Sequence, residues 1–480
     1  MLPSATRTMP TPLYFYIISL LLTLGVISSS RATNELSIEQ HTSIDNIIQH
    51  AIKQSGRPSI AVIIDRGGET LYASAFGKSN LEYNIAATID QPYAIGSITK
   101  SFTALATLQL VEQGKIDLEA PVSAYLADYK GPARSVKVSM LLNHTSGIPN
   151  YANEFPTKRD SLSRDGFTRD SLKAIFEHEP LKFTPGSKFE YTNSGYYLLG
   201  LIIEQVSGQN YYDYIQQHIF DPLGMSNSSS GDDKNIVSNR AAGYTVGQNG
   251  YLNAPSWSHL VPFSAGSLIS TAGDLVKYRR GVAHSDVFSS ALRQLILRTV
   301  PMTDGTPAIY ALGGLIVGQF EGHRKTSHGG DIWGYSATHA YYPDDDVTIV
   351  LLSNLQTEAP AAASIELKIA RVVFNLPPLN TQDLTLTDKA LTQYAGDYRL
   401  HPFIFGVPQY GFLVKDQRLH IVFGGLASGG QPIPLLAQGN HRFSTSFDDE
   451  WVFDFQKDAN NAVVSLKARY LDGVFYANRE

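Results

Sequence analysis

The chain has no cysteine in 480 residues. That absence excludes disulfides, thiolate metal sites, a cysteine nucleophile and a lipid-bearing cysteine behind an export signal. Stability must come from the apolar core. Long basic runs are missing too, and the formal net charge is −6, so the electrostatics give no reason to expect nucleic acid. His-Glu-x-x-His does not occur, which leaves a zinc peptidase without support. Gly-x-Ser-x-Gly is also missing. Its nearest approach, Gly334-Tyr335-Ser336-Ala337-Thr338, lacks the second glycine of an α/β-hydrolase elbow. No internal repeat or low-complexity tract is present. Beyond the N-terminus, no apolar stretch is long enough to cross a bilayer.

Apolar residues make up 43% of the chain and charged residues 17%, ordinary for a folded globular protein. The length predicts two or three domains. Arg7 supplies a positive n-region, residues 13–27 an apolar run, and Ser28-Ser29-Ser30-Arg31-Ala32 small residues suited to cleavage. Residues 1–32 therefore read as an export signal, and the mature chain as periplasmic or secreted. The alternative is an uncleaved anchor, although the run falls short of the ~20 residues a span needs.

Residues 38–53 read as an amphipathic helix with Ile44, Ile47, Ile48, Ala51 and Ile52 on one face. Residues 59–64 and 70–76 read as a hairpin around Arg66-Gly67-Gly68. Helices are expected over 138–143 and 192–206, the second closed by Gly208. Residues 265–275 read as a strand entering a helix, with Thr271 and Asp274 at capping-box spacing. A second hairpin, 336–342 with 347–354, precedes a terminal helix over 361–374. Helices at both ends with hairpins between them predict an α/β (α+β) domain around an antiparallel sheet, spanning 38–375. Leu376-Pro377-Pro378-Leu379-Asn380 opens a linker over 376–390. Residues 391–480 are nearly all β in pattern, with strands at 411–415, 418–423, 441–444, 451–456 and 463–470. A small barrel or sandwich is expected there.

Chemistry enters at Ser97-Ile98-Thr99-Lys100. A hydroxyl and an amine three apart on a helix share one face. Serine is a poor nucleophile until a neighbouring base activates it. Ile98, Phe102, Leu105 and Leu108 recur at helical spacing, and Gly114 follows the end. Ser97 would then sit at a helix N-terminus, where free N–H groups favour a developing oxyanion. A bare N-cap is the plain alternative. Two further segments join it. Tyr191-Thr192-Asn193 stands just before a helix, where a phenol near an ammonium can accept a proton and an amide can orient either partner. His328-Gly329-Gly330 stands before a strand, where glycines allow close backbone approach.

The ordered set S-x-x-K, Y-x-N, H-x-G resembles the serine β-lactamase and penicillin-binding protein superfamily in its class C-like branch. DD-peptidases, D-aminopeptidases and family VIII carboxylesterases share that branch. Leu141 to Ile148 (LLNHTSGI), Pro185-Gly186, Phe220 to Met225 (FDPLGM) and Ala265-Gly266-Ser267-Leu268 match it as well. The resemblance covers about 38–375 and implies a β-lactamase/transpeptidase-like antiparallel sheet flanked by helices, with a helical subdomain. It implies acyl transfer without metal or cofactor. Ser97 would be the nucleophile. Lys100 and Tyr191 would share the proton work, with the base left open between them. Asn193, His328 and Gly330 would meet substrate, and the N–H groups of Ser97 and Asp331 would form the oxyanion hole.

One departure matters. β-Lactamases usually carry Lys-Thr-Gly third, whereas this chain has His328-Gly329-Gly330, and Lys325-Thr326-Ser327 upstream lacks the glycine. The histidine register keeps the family's spacing to Trp333-Gly334-Tyr335-Ser336. Histidine, with an ordinary pKa of about 6.5, is a weak anchor for a carboxylate at neutral pH. Cleavage of small esters or D-amino-acid peptides and amides therefore ranks above β-lactamase or DD-carboxypeptidase activity. A catalytically dead peptidoglycan-binding or sensor protein is the alternative of another class. Leu391-Thr392-Gln393-Tyr394-Ala395-Gly396-Asp397-Tyr398 resembles the start of a lipocalin-like domain appended in this superfamily. It implies either a cover over the active-site mouth, a homo-oligomer contact, or a passive β-domain.

Overall fold

The computed structural model describes residues 35–155, 168–231, 235–255, 258–306, 308–356, 359–379, 382–404, 407–470 and 473–480. The expected export signal lies outside the described residues. Among the described residues, no helix is long and apolar enough to cross a membrane.

Helix α1 (Ile38–Ser55) starts at Ser37 in a reciprocal capping box with Gln40 and ends at Gly56, whose φ is +68°. Strands β1 (Ser59–Arg66) and β2 (Glu69–Asn80) form the first hairpin, followed by the short β3 (Ile85–Ala86). Helices α2 (Thr99–Glu112), α3 (Asn193–Ser207) and α4 (Ala272–His284) follow. The chain then returns to the sheet through β4 (Tyr310–Ala311), β5 (Leu315–Phe320), β6 (His323–Ile332), β7 (Tyr335–Tyr342) and β8 (Val347–Ser353), and closes with α5 (Ala362–Val373). The order across this antiparallel sheet is β3-β2-β1-β8-β7-β6-β5-β4.

Strand alternation builds two cores on this sheet. Ile60, Val62 and Ile64 of β1 face α1 and α5, packing with Ile48, Ile365 and Ile369. Ala61 and Ile63 face the opposite way, into a larger cluster with Phe102, Leu105, Leu199 and Leu275. Both faces of β1 are covered, so it reads as a continuous apolar run.

Two local expectations change. Residues 263–266 form a helical turn, and only Leu268–Ser270 is strand before α4. The Thr271 hydroxyl does accept from Asp274 N at 3.1 Å. The Asp274 carboxylate, however, accepts from Asn227 N and Ser228 Oγ at 2.8 and 2.9 Å, so the reciprocal half of the capping box is spent on a neighbouring loop.

Past α5, eight strands close into a barrel: β9 (Gly396–Ile404), β10 (Val407–Lys415), β11 (Arg418–Phe423), β12 (Ile433–Gly439), β13 (Arg442–Thr445), β14 (Val452–Lys457), β15 (Val463–Tyr470) and β16 (Gly473–Arg479). Pairing of β9 with β16, Leu400 opposite Ala477, completes the ring. Aromatic side chains fill it, among them Tyr398, Phe412, Phe453 and Phe455. Polar contacts form part of the barrel's docking. Asp448, buried between β13 and β14, accepts from Ala361 N at 3.2 Å at the start of α5. Arg371 of α5 donates to Glu450 at 3.1 Å and to Glu321 at 2.9 Å, and Arg469 of the barrel donates to the same Glu321 at 3.0 Å.

Candidate active site

Ser97 lies on a 3₁₀ turn, Gly96–Ile98, that runs directly into α2. Gly96 has φ +50°, a left-handed conformation costly for other residues. Lys100, one turn on, is wholly buried. Its Nζ is 3.0 Å from Ser97 Oγ and donates to Asn193 Oδ1 and to the Ala265 carbonyl, each at 2.7 Å. Burial drives this amine well below the ordinary lysine value of 10.5. Tyr191 hydrogen-bonds Ser97 through its hydroxyl, and Lys100 Nζ stands 4.8 Å from the centre of its ring. Burial raises the phenol pKa, partly offset by the bond to Ser97. The amine and the phenol are thus both biased toward their neutral forms.

Asn193 opens α3, capped by Thr192. Its Nδ2 donates to Asn150 Oδ1 at 3.2 Å, which fixes which end of the amide faces Lys100. Asn150 had no motif to mark it. It follows the LLNHTSGI segment by two residues, and proximity to that segment is its only sequence signal. His144 of that segment supports Tyr191 from behind. Its Nδ1 accepts from Thr192 N at 3.2 Å, and its ring lies 4.3 Å from the Tyr191 ring. Burial, with Lys100 nearby, holds His144 neutral.

The third segment lies on β6. His328 is buried at the cleft, with Nε2 2.5 Å from the Tyr310 hydroxyl and Nδ1 against the Gly329 carbonyl. Burial and the neighbouring Lys100 push its pKa down to about 3. Both nitrogens are engaged and the ring is uncharged. Tyr310, a partner without sequence signal, comes from the short β4. Lys325, three residues back, turns to the other face of the sheet and donates to the buried Glu366 at 2.6 Å. Of the two registers open in the sequence, only the histidine one reaches the cleft.

Glycine here serves backbone packing. A Cβ on Gly330 would fall 2.0 Å from Ile95 O, and one on Gly96 would fall 2.9 Å from Asp331 N. The close approach expected at Gly330 is therefore to the turn carrying Ser97. It seats the Asp331 backbone beside the residue preceding Ser97.

Two cavities meet at Ser97. Ser97, Asn193 and Asp331 border both. One, of 240 Å³, is largely apolar and is bounded by Phe189, Tyr191, Tyr310 and His328. The other, of 180 Å³, is bounded by Tyr151, Pro262 and Trp333. Among the described residues no cluster of His, Asp and Glu has the arrangement to hold a metal ion.

The chain is 26% identical over 362 residues to Penicillin-binding protein 4* of Bacillus subtilis (strain 168), covering 71% of this chain and 79% of that protein. It is 29% identical over 331 residues to Protein flp of Staphylococcus aureus (strain MRSA252), covering 67% of this chain but spanning only 64% of flp. The octameric penicillin-binding protein homologue from Pyrococcus abyssi superposes with a TM-score of 0.65 at 25% identity, covering 91% of this chain and 99% of that one. A D-stereospecific amidohydrolase from Streptomyces sp. gives 0.60 at 25% identity over 70% of this chain and 98% of its own. The Beta-lactamase family profile matches residues 44–374. A match across that span, on this sheet and these helices, makes the chain a member of the Beta-lactamase family.

Proposed function

We propose that this chain is an exported serine hydrolase that cleaves small esters and D-amino-acid amides or peptides through an acyl-enzyme on Ser97. One observation carries the reading: a single hydroxyl contacts both a buried amine and a phenol packed against the core. A neutral amine has two N–H groups and one lone pair. Asn193 Oδ1 and the Ala265 carbonyl, acceptors both, take the two N–H groups. The lone pair is left for the Ser97 hydroxyl, so Lys100 acts as the base. Ser97 Oγ then attacks the carbonyl carbon, and the N–H groups of Ser97 and Asp331 receive the oxyanion. Tyr191, a neutral phenol, hands its proton to the departing alcohol or amine and is reprotonated through Lys100. Water releases the acyl group by the reverse path.

Similarity to a penicillin-binding protein and to a D-stereospecific amidohydrolase supports amide and peptide substrates. Neutral His328 argues against efficient β-lactam hydrolysis, because it offers no cation to a β-lactam carboxylate. The test is a panel of p-nitrophenyl butyrate, D-amino-acid amides, D-Ala-D-Ala peptides and nitrocefin. It is run beside fluorophosphonate and fluorescent-penicillin labelling mapped by mass spectrometry. We expect ester and amide turnover, slower nitrocefin, and label on Ser97. Neither probe on Ser97 would favour the catalytically dead binding protein. The same spectra read whether residues 1–32 have been removed.

The reading divides the chain into a hydrolase domain over 38–375, a linker over 376–390 and a lipocalin-like domain over 391–480. It also extends to assembly through the barrel, since the P. abyssi homologue is described as octameric. Light scattering on the purified chain is expected to give a multiple of the monomer mass. A monomer across the micromolar range would reject assembly.

A further inference from the structure

The apolar cavity beside Ser97 has a wall from outside the family's own fold. Gly473 and Phe475, from the last barrel strand, line it together with Phe189, Tyr310 and Ile316. Along β16 the side chains alternate. Phe475 and Ala477 point into the barrel's core, while Tyr476 is exposed. Phe475 is therefore the first inward aromatic of the strand, at the barrel end that abuts the cleft. Its ring folds back over Gly473: a Cβ on that glycine would lie 2.2 Å from Phe475 Cζ. Ile309, next to the His328 partner Tyr310, packs against both the large hydrolase core and the barrel core. The barrel end and the cleft thus share one apolar seam.

The two cavities at Ser97 are not equivalent for acyl transfer. Tyr191 borders the apolar cavity and not the other. On the proton path proposed above, the group that takes the Tyr191 proton is the leaving alcohol or amine. We infer that Phe475 is a specificity-determining residue supplied by the barrel, bounding the leaving-group side of the cleft and selecting compact apolar alcohols or amines. The inference rests on the hydrolase reading and on Tyr191 as proton donor. It deepens that reading by assigning the barrel a part in substrate choice. A cavity of 240 Å³ lies below the usual range of about 300–1,000 Å³ for drug-sized ligands. An uncharged His328 at its floor suits a leaving group without a carboxylate.

The test holds the acyl group constant. Ethyl, benzyl and 2-naphthylmethyl acetates share one acetyl-enzyme and differ only in what leaves. With the full-length enzyme, benzyl is expected to outrun naphthylmethyl. Phe475→Ala is expected to raise the naphthylmethyl-to-benzyl ratio of kcat/KM about tenfold, the scale on which small changes in an apolar pocket discriminate. Phe475→Leu, which keeps more of the barrel core, is expected to give a smaller change in the same direction. Hydrolysis of the acetyl-enzyme, followed by mass spectrometry after a burst, is expected to be unchanged, because the leaving group has already gone. A barrel that merely props up the fold would move acylation and deacylation together. An unchanged ratio in folded Phe475→Leu, or an equal loss in deacylation, overturns the inference while the hydrolase reading stands. A wild type that turns over no ester and takes no label on Ser97 overturns both.

Discussion

Ser97→Ala is expected to lower kcat/KM for p-nitrophenyl butyrate on the order of 10⁶-fold, the scale seen when a serine nucleophile is removed from a machine whose parts act as a unit. The melting temperature is expected to hold within a degree or two. Ser97 sits on a 3₁₀ turn whose path is set by Gly96 and by the contact of β6 with Ile95. None of this uses the Ser97 hydroxyl. Lys100 loses one neighbour and keeps Asn193 and Ala265. Activity measured beside thermal unfolding therefore separates chemistry from folding. Turnover within tenfold of wild type in a folded Ser97→Ala protein would place the nucleophile elsewhere.

What could be read in advance follows from distance along the chain. Ser97 with Lys100, and Tyr191 with Asn193, are local patterns, each set by one helix start, and each is legible in a short window. The α+β architecture was legible for the same reason: β1 and β8 are dense apolar runs bounded by turn residues. Contacts that close the site cross long stretches and leave no local trace. Asn150 meets Asn193 across 43 residues, and Tyr310 reaches His328 from a two-residue strand too short to carry a pattern. Phe475 reads in sequence as an ordinary barrel aromatic. Its second role exists only because the barrel end abuts the cleft. Two of the strands that escaped notice have the same kind of cause. Strand β12 follows Gly429-Gly430-Gln431-Pro432 and contains Pro434, while β9 opens on Gly396 at φ +134°. Glycine and proline signal turns, and here ring closure of the barrel overrides that local signal.

Lys100→Met and Tyr191→Phe are expected to divide the proton work. Methionine keeps the length of the buried stem and removes the base. The loss in kcat/KM is expected to be about 10²–10⁴-fold on esters and amides alike, because every acylation begins at the Ser97 proton. Tyr191→Phe spares that step and removes the donor to the leaving group. An amine cannot leave unprotonated, whereas p-nitrophenolate can. Tyr191→Phe should therefore cost about 10²–10⁴-fold on D-amino-acid amides and much less on p-nitrophenyl esters. The pH profile gives a second handle. A base works above its own pKa and fails when protonated, so activity is present above the folded pKa of Lys100 and lost as pH falls through it. Burial places that pKa well below 10.5, so the wild type's activity should rise along a limb lying well below pH 10.5, and the Lys100→Met remnant should lack that limb. Were the Tyr191 phenolate the base, its burial-raised pKa would put the limb above the ordinary tyrosine range of about 10. Neutral activity would then be a small fraction of the maximum. An acid limb that survives unchanged in Lys100→Met, or equal losses on ester and amide in Tyr191→Phe, would reverse the two assignments.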